Sequence, residues 1–398
     1  MKTPPRYRRS AEEGDSTVAH ESGLLDSDEL RRYARQIRLP SLGIDGQERL
    51  KATSVLIVGA GGLGSPAATY LAAAGVGRIG IADDDRVDTS NLHRQPLHRT
   101  EDIGSAKADS ARETLAAINP HVRVEAIKLR VSRENALDLV KAFDVVIDGT
   151  DNFPTRYLLN DACVLTGRPL VYGSVDRFEG QVSLFATDHG PCYRCLFPSP
   201  PEPGTVQNCA DAGVLGVLPG LVGTLQATEA LKLILGLGES LAGRLLLVDT
   251  LSMRFRAISI DRDPECPACG TREIRELIDY EAFCSGEQRP VRDVETILPT
   301  ELSAGLSAGE AIVLVDVRET YEWQMGRIPS ARLFPLGSLY SAPPDIPVDA
   351  DIVVYCHHGQ RSHAAAEALS AFGFKRVRNL VGGIDRWSRE VDPGVRRY

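Results

Sequence analysis

The stretch Ser54–Gly64, SVLIVGAGGLG, decides the reading of this chain. An apolar, strand-like run ends in glycines spaced GxGxxG, and SPAATYLAAA behind it reads as a helix from about Ser65 to Ala74. From Ser54 to Gly77 no residue is charged, a length that could also span a bilayer. Six glycines and a proline inside it argue instead for a buried strand feeding a helix. The glycines let the backbone approach phosphates at the helix N-terminus. Asp83, about twenty residues on, is placed to take ribose hydroxyls. Taken alone, the pattern fits an NAD-dependent dehydrogenase equally well.

Outward from this unit, strands and helices alternate: RIGIAD, a helix around Lys107 to Ile118, VRVEAIKL, DVVIDGT, and a helix from Thr155. Such alternation implies an α/β fold with a mostly parallel sheet and right-handed crossovers. From PLVYGSV to QVSLFAT the pattern turns to strands with short connections. AGVLGVLPGLVGTLQATEALKLIL then reads as a loop entering a long buried helix, and RLLLVDT and FRAISI close this part. Residues 271–292 are polar and irregular and read as a linker. Behind them, 293–398 form a smaller α/β unit built on AIVLVDVRE, ARLFPL, DIVVYC, a helix after Arg361, and RVRNL. Residues 1–22 lack the apolar core of a signal peptide and read as a disordered leader. Two domains, 23–270 and 293–398, are the expectation for 398 residues.

A net charge of −9 argues against a nucleic-acid binder and leaves small-molecule or protein partners. Eight cysteines without a secretory signal point to thiols and metal in a reducing compartment, the cytoplasm, rather than to disulfides. Cys192-x-x-Cys195 and Cys266-x-x-Cys269 offer four thiolates, a set that suits tetrahedral structural zinc. One of the two could instead be a redox pair. Cys356 opens CHHGQR between the strand DIVVY and the helix SHAAAEALSAF. Loop amides and the helix N-terminus would stabilise its thiolate or a persulfide, and Arg361 would close the loop and add positive charge.

Cations flank the glycine loop. Ser90-Asn91-Leu92-His93-Arg94-Gln95 follows the second strand, and Lys107 starts a helix. Dinucleotide phosphates lean on backbone amides, whereas ATP brings more charge. Arg94 and Lys107 could grip a triphosphate and the pyrophosphate that leaves. Asp151, in GTDN at a strand end, could hold magnesium.

RYARQ, GAGGLGS, Asp83, SNLHRQ, IGSAK and GTDN, in this order, resemble the MoeB/ThiF branch of E1-like adenylyltransferases from about Leu25 to Gly270. Tyr193-Arg194 between two cysteines and Glu179-Gly180-Gln181 fit the same family. The resemblance implies a Rossmann-like domain that uses ATP and Mg2+ to adenylate the C-terminal glycine of a small ubiquitin-like sulfur carrier of MoaD or ThiS type, ending in Gly-Gly. It implies that Gly62, Asp83, Ser90, Asn91, Leu92, His93, Arg94, Lys107, Asp151 and Asn152 contact the nucleotide or its metal. Arg35 would reach the ATP site of the other subunit of a homodimer, and the four cysteines would hold Zn2+.

DVRE, GRIPSA, CHHGQR and GGIxxW resemble a single-domain rhodanese from about Val291 to the end. This implies a persulfide on Cys356, loaded by a cysteine desulfurase or by thiosulfate. Where such domains often have GHIPGA, this chain has Arg327 and Ser330 in place of the histidine and the second glycine. Cys209, in QNCADAG, reads from the residues alone as an ordinary loop or core thiol. By resemblance to E1-like proteins with a fused sulfurtransferase, it attacks the carrier's activated C-terminus or resolves an acyl-disulfide. The expected function is adenylation of the carrier followed by sulfur transfer to a thiocarboxylate. The alternatives are an E1-like tRNA-modifying enzyme, an NAD-dependent dehydrogenase with an accessory rhodanese domain, and a non-catalytic scaffold.

Overall fold

The computed structural model describes residues 25–201, 213–285, 294–339 and 343–397. The leader and Cys209 lie outside the described residues. The chain divides into two compact units, the first reaching residue 284 and the second beginning at 285.

The first unit holds an eight-stranded sheet in the order β3-β2-β1-β4-β5-β6-β7-β8. Its strands are β1 (Ser54–Val58), β2 (Arg78–Ala82), β3 (Arg123–Ile127), β4 (Val145–Asp148), β5 (Leu170–Asp176), β6 (Glu179–Phe185), β7 (Arg244–Asp249) and β8 (Arg254–Ser259). The pairings from β3 through β5 are parallel, and those from β5 to β8 are antiparallel. β1 is buried along its whole length because both faces of the sheet are covered there, Val55 and Ile57 entering one core and Leu56 and Val58 another, while β2 and β4 pair its edges. That double coverage is why its sequence is a continuous apolar run rather than an alternating one. The turn after it admits only glycine at two positions. Gly59 has φ +93, and a Cβ on Gly64 would lie 1.9 Å from the Gly59 carbonyl.

The strand order reverses between β1 and β4, so the C-terminal ends of these two strands diverge into a crevice, the position where open α/β sheets bind ligands. Among the described residues no helix is long and apolar enough to cross a membrane.

The second unit is a five-stranded parallel sheet in the order β11-β10-β12-β13-β9. Its strands are β9 (Glu295–Ile297), β10 (Ile312–Asp316), β11 (Arg332–Leu333), β12 (Asp351–Tyr355) and β13 (Arg376–Leu380). Cys356 follows the central strand, and Gln360–Ala371 is the helix beyond it.

Of the stretch expected to be a linker, 271–292, the structure describes residues up to 285, and Leu277, Ile278 and Phe283 in it pack against the core of the first unit. Tyr280–Ser285 is helical, and Tyr280 is buried with its hydroxyl donating to Asp161 Oδ2 at 2.8 Å. Its polar composition hides this because the anchoring partner lies far away in sequence. Asp161 also receives Arg194 through two bonds of 2.8 Å, with the two side chains 0% and 3% exposed. Removing one member of such a pair strands a buried charge. Arg194→Ala is therefore expected to cost about 3–5 kcal/mol of stability in the first unit, read by urea unfolding. A loss below about 1 kcal/mol would show that water reaches Asp161 once the arginine is gone.

Candidate active sites

A cavity of about 520 Å³ opens at the crevice, lined by the glycine loop, the ends of β2 and β4, and the segments that follow them. Of the residues singled out above, Gly62, Asp83, Ser90, Asn91, Arg94, Lys107, Asp151 and Asn152 line it. Asp83 accepts the Ala60 amide on Oδ2 at 2.7 Å and the Asp85 amide on Oδ1 at 2.8 Å. It therefore braces the loop as well as facing the cavity, and burial holds its carboxyl above the usual range. Lys107, almost wholly buried, pairs with Asp85 at 2.8 Å. Arg94 donates to the Ser90 carbonyl at 2.9 Å, which turns its guanidinium along the cavity edge.

Leu92, His93 and Arg35 are not among the lining residues. The 3-10 turn Thr89–Asn91 explains the first two. It brings Asn91 and Gln95 together, the Gln95 amide donating to Asn91 Oδ1 at 2.9 Å; Arg94 stays in the lining, while Leu92 and His93 fall outside it. The His93 ring lies 2.9 Å from the Arg94 guanidinium. Arg35 is exposed on the helix Ala34–Ile37.

Behind the rim, Asp148 is fully buried and accepts both the amide and the hydroxyl of Thr150 on Oδ1, at 2.9 and 2.6 Å. This turn projects Asp151 outward and places Asn152 as the cap of the helix Phe153–Thr166, where it accepts the Thr155 amide. Asp148 Oδ2 has no hydrogen-bond partner among the described residues, and burial pushes its carboxyl upward. Gln95, Arg130, Thr150 and Arg156 also line the cavity and were not anticipated. Gln95 and Thr150 lie inside motifs already quoted. Arg130 and Arg156 carry no local signal.

The four cysteines of the two CxxC pairs converge, all sulfurs within 4.8 Å of one another. Sγ–Sγ distances are 3.6 Å for Cys192–Cys266, 3.3 Å for Cys195–Cys269 and 4.0 Å for Cys192–Cys195. A tetrahedron with metal–sulfur bonds of about 2.3 Å requires roughly 3.8 Å between sulfurs, so the donor set fits zinc. The Asp263 amide donates to Cys195 Sγ at 3.4 Å, orienting that ligand from outside.

In the second unit Cys356 is 2% exposed, and its Sγ accepts the Gly359 amide at 3.1 Å. Ser362 Oγ sits 3.4 Å from the same sulfur and 2.7 Å from Asn379 Oδ1, while Asn379 Nδ2 donates to the Gly359 carbonyl at 3.0 Å. Gly359, with φ +99, lets the loop curl back over the thiol ahead of the helix. The loop's outer side is pinned by the Ile384 amide on the Cys356 carbonyl at 2.9 Å and the Asp385 amide on the His357 carbonyl at 3.1 Å. The cradle thus supplies amide and helix-terminus stabilisation to a sulfur anion.

Arg361 departs from the expectation that it adds bare positive charge. Its guanidinium forms two bonds of 2.7 and 2.8 Å with Glu322, both side chains being buried, so it closes the loop while most of its charge is offset. Burial pushes His357 down to about 4, so it is neutral at pH 7, and it stacks on His358 with centroids 4.1 Å apart. At the altered GRIPSA segment, Arg327 lies over the Trp323 ring at 5.0 Å. Ser330 takes φ +66, where a glycine is at ease. Ser330→Gly is expected to raise the stability of the second unit by about 1 kcal/mol in urea unfolding; a loss would show that the Ser330 side chain matters more than its backbone strain.

Comparison with known proteins finds a family for each unit. The ThiF family model matches residues 33–268, and the rhodanese-like domain model matches 298–390. The probable adenylyltransferase/sulfurtransferase MoeZ of Mycobacterium tuberculosis is 46% identical over 386 residues, covering 95% of this chain and 97% of that protein. The adenylyltransferase and sulfurtransferase MOCS3 of Mus musculus is 43% identical, covering 94% of this chain and 88% of its own length. The sulfur carrier protein adenylyltransferase of Thermus thermophilus is 58% identical over 65% of this chain, and 97% of that relative is covered. Among solved structures, E. coli MccB with ATP superposes with a TM-score of 0.54 at 22% identity over 62% of this chain and 75% of MccB, a likeness of fold.

Proposed function

This chain belongs to the ThiF family and carries a rhodanese-like domain behind it, and on that premise we propose that it activates a small sulfur carrier with ATP and then delivers sulfur to it. The observation that carries the reading is one cavity where glycine-loop backbone, Arg94, Lys107 and Asp151 meet, in a chain that also cradles Cys356 against an amide. Relatives named as sulfur carrier protein adenylyltransferase and as adenylyltransferase/sulfurtransferase support it over hydride transfer.

In the first half-reaction a C-terminal carboxylate oxygen of the carrier attacks the α-phosphorus of ATP, and the bond to the β-phosphate oxygen breaks. Loop amides orient the phosphates, and Arg94 and Lys107 stabilise the charge passing to pyrophosphate. Asp151 at the rim is the carboxylate that would hold magnesium, which neutralises phosphate charge when bound. Asp83 would meet the ribose through lone pairs not used by the Ala60 and Asp85 amides. In the second half-reaction the Cys356 persulfide attacks the acyl carbon and AMP leaves, giving an acyl-disulfide. A thiol then attacks the Cys356 sulfur, releasing the carrier thiocarboxylate and leaving a protein disulfide to be reduced. Cys209, outside the described residues, is the candidate for that thiol or for a direct attack on the adenylate.

The reading extends to a structural zinc on the four cysteines, a homodimer in which Arg35 serves the neighbouring subunit's cavity, a cysteine desulfurase or thiosulfate as donor, and a reducing cytoplasm. The functional domains are proposed as 23–270 and 293–398. Exchange of labelled pyrophosphate into ATP tests the first half-reaction. It should depend on a carrier ending in Gly-Gly, and exchange that ignores the carrier or never occurs would count against the proposal.

A further inference from the structure

We propose that His98, a residue outside every motif used so far, is a positioning residue for nucleotide binding: it holds the Ala60 carbonyl and thereby aims the Gly61 amide at the cavity. The inference rests on the reading of that cavity as an ATP site.

His98 is buried, with Nε2 2.9 Å from the Ala60 carbonyl and Nδ1 2.9 Å from Ser110 Oγ. A carbonyl only accepts, so Nε2 carries the proton and donates. Burial keeps the ring below the usual histidine range, and Ser110 Oγ is the contact that fixes its second nitrogen. Ser110 is itself tied to Asp102 Oδ2 at 2.8 Å, and Asp102 Oδ2 accepts the Arg99 amide at 2.9 Å. The imidazole is therefore a strut from a fixed anchor to the glycine loop.

What it holds matters more than how firmly. Ala60 stands between Gly59 and Gly61, the most freely rotating neighbours a peptide can have. Its own amide is held by Asp83 at 2.7 Å, while its carbonyl has His98 at 2.9 Å and Ser65 Oγ only at 3.5 Å. A trans peptide is a rigid plane whose N–H points opposite to its C=O. Drawing the Ala60 carbonyl toward His98 thus turns the Gly61 amide the other way, and Gly61 lines the cavity. Without the strut the Ala60–Gly61 plane can swing, presenting a carbonyl where a phosphate needs a donor.

Two substitutions separate positioning from packing. Glutamine can place an amide nitrogen near the former Nε2, whereas asparagine reaches only as far as Nδ1. On the full chain, calorimetric titration with Mg-ATP is expected to give a Kd raised about tenfold in His98→Asn and within about threefold of the parent in His98→Gln. In the exchange assay the asparagine variant should show its loss in the KM for ATP more than in kcat. The inference is overturned if His98→Asn binds like the parent, or if both variants lose affinity alike in step with a fall in melting temperature. Should His98→Asn fail to fold, Ser110→Ala keeps the ring but cuts its anchor. A Kd raised about fivefold there supports the strut, and one within about threefold of the parent overturns it. If the parent chain binds no ATP, the reading of the cavity fails first and takes this inference with it.

Discussion

Cys356→Ala is expected to abolish thiocarboxylate formation, by on the order of a thousandfold or more, while leaving carrier-dependent pyrophosphate exchange at its parent rate. The sulfur sits at the end of β12 with the Gly359 amide 3.1 Å away and a helix starting at Gln360, so it is the group that this cradle is shaped to hold as an anion. No other described cysteine in the second unit could take its place. The adenylation cavity is lined entirely by residues of the first unit, which is why exchange should persist. Mass spectrometry of the carrier reads the loss, and labelled exchange reads what survives. Thiocarboxylate made at more than a tenth of the parent rate would remove Cys356 from the reaction path.

The converse variant is Lys107→Ala, expected to slow exchange by roughly 10²–10³ with the change in kcat rather than in KM. Lys107 starts the helix Lys107–Ile118, is nearly buried, and reaches the cavity held by Asp85, whose own side chain is 69% exposed. Removing the lysine leaves Asp85 in water but takes a positive charge from beside the buried Asp83, so the catalytic loss is read against the melting temperature of the same variant. Arg94→Ala should behave in the same way, since its described protein contacts are the Ser90 carbonyl and the His93 ring. Both variants should still accept sulfur on Cys356. An effect on KM alone would mean that these cations bind ATP without assisting the departure of pyrophosphate.

How far the chain could be read beforehand follows from the range of the forces involved. β1 and its loop were legible because a doubly covered strand must be apolar throughout and the turn after it tolerates only glycine at Gly59 and Gly64. Gly62, Asp83 and Asp151 converge on one cavity because each stands at the C-terminal end of a parallel strand or just beyond it, and Arg94 and Lys107 join them from the long connection between β2 and the helix Lys107–Ile118. Long-range pairings left no such trace. Arg361 spends its charge on Glu322, which lies 39 residues earlier, and Tyr280 is drawn into the first unit by Asp161, 119 residues before it. His98 is another case, because its partner is a backbone carbonyl, and a carbonyl has no signature in an amino-acid sequence. The facing of Leu92 and His93 was decided by a 3-10 turn too short to read from periodicity.

The central claim, that one chain both activates a carboxylate and places sulfur on it, is tested most directly by incubating the parent chain with ATP, a carrier ending in Gly-Gly and a persulfide donor, and weighing the carrier. The account predicts a carrier whose mass has changed by one oxygen-to-sulfur exchange, with AMP formed alongside. With Cys356→Ala it predicts AMP and pyrophosphate chemistry without that exchange. A carrier that gains sulfur in the absence of ATP, or that never gains it while ATP is consumed, would contradict it.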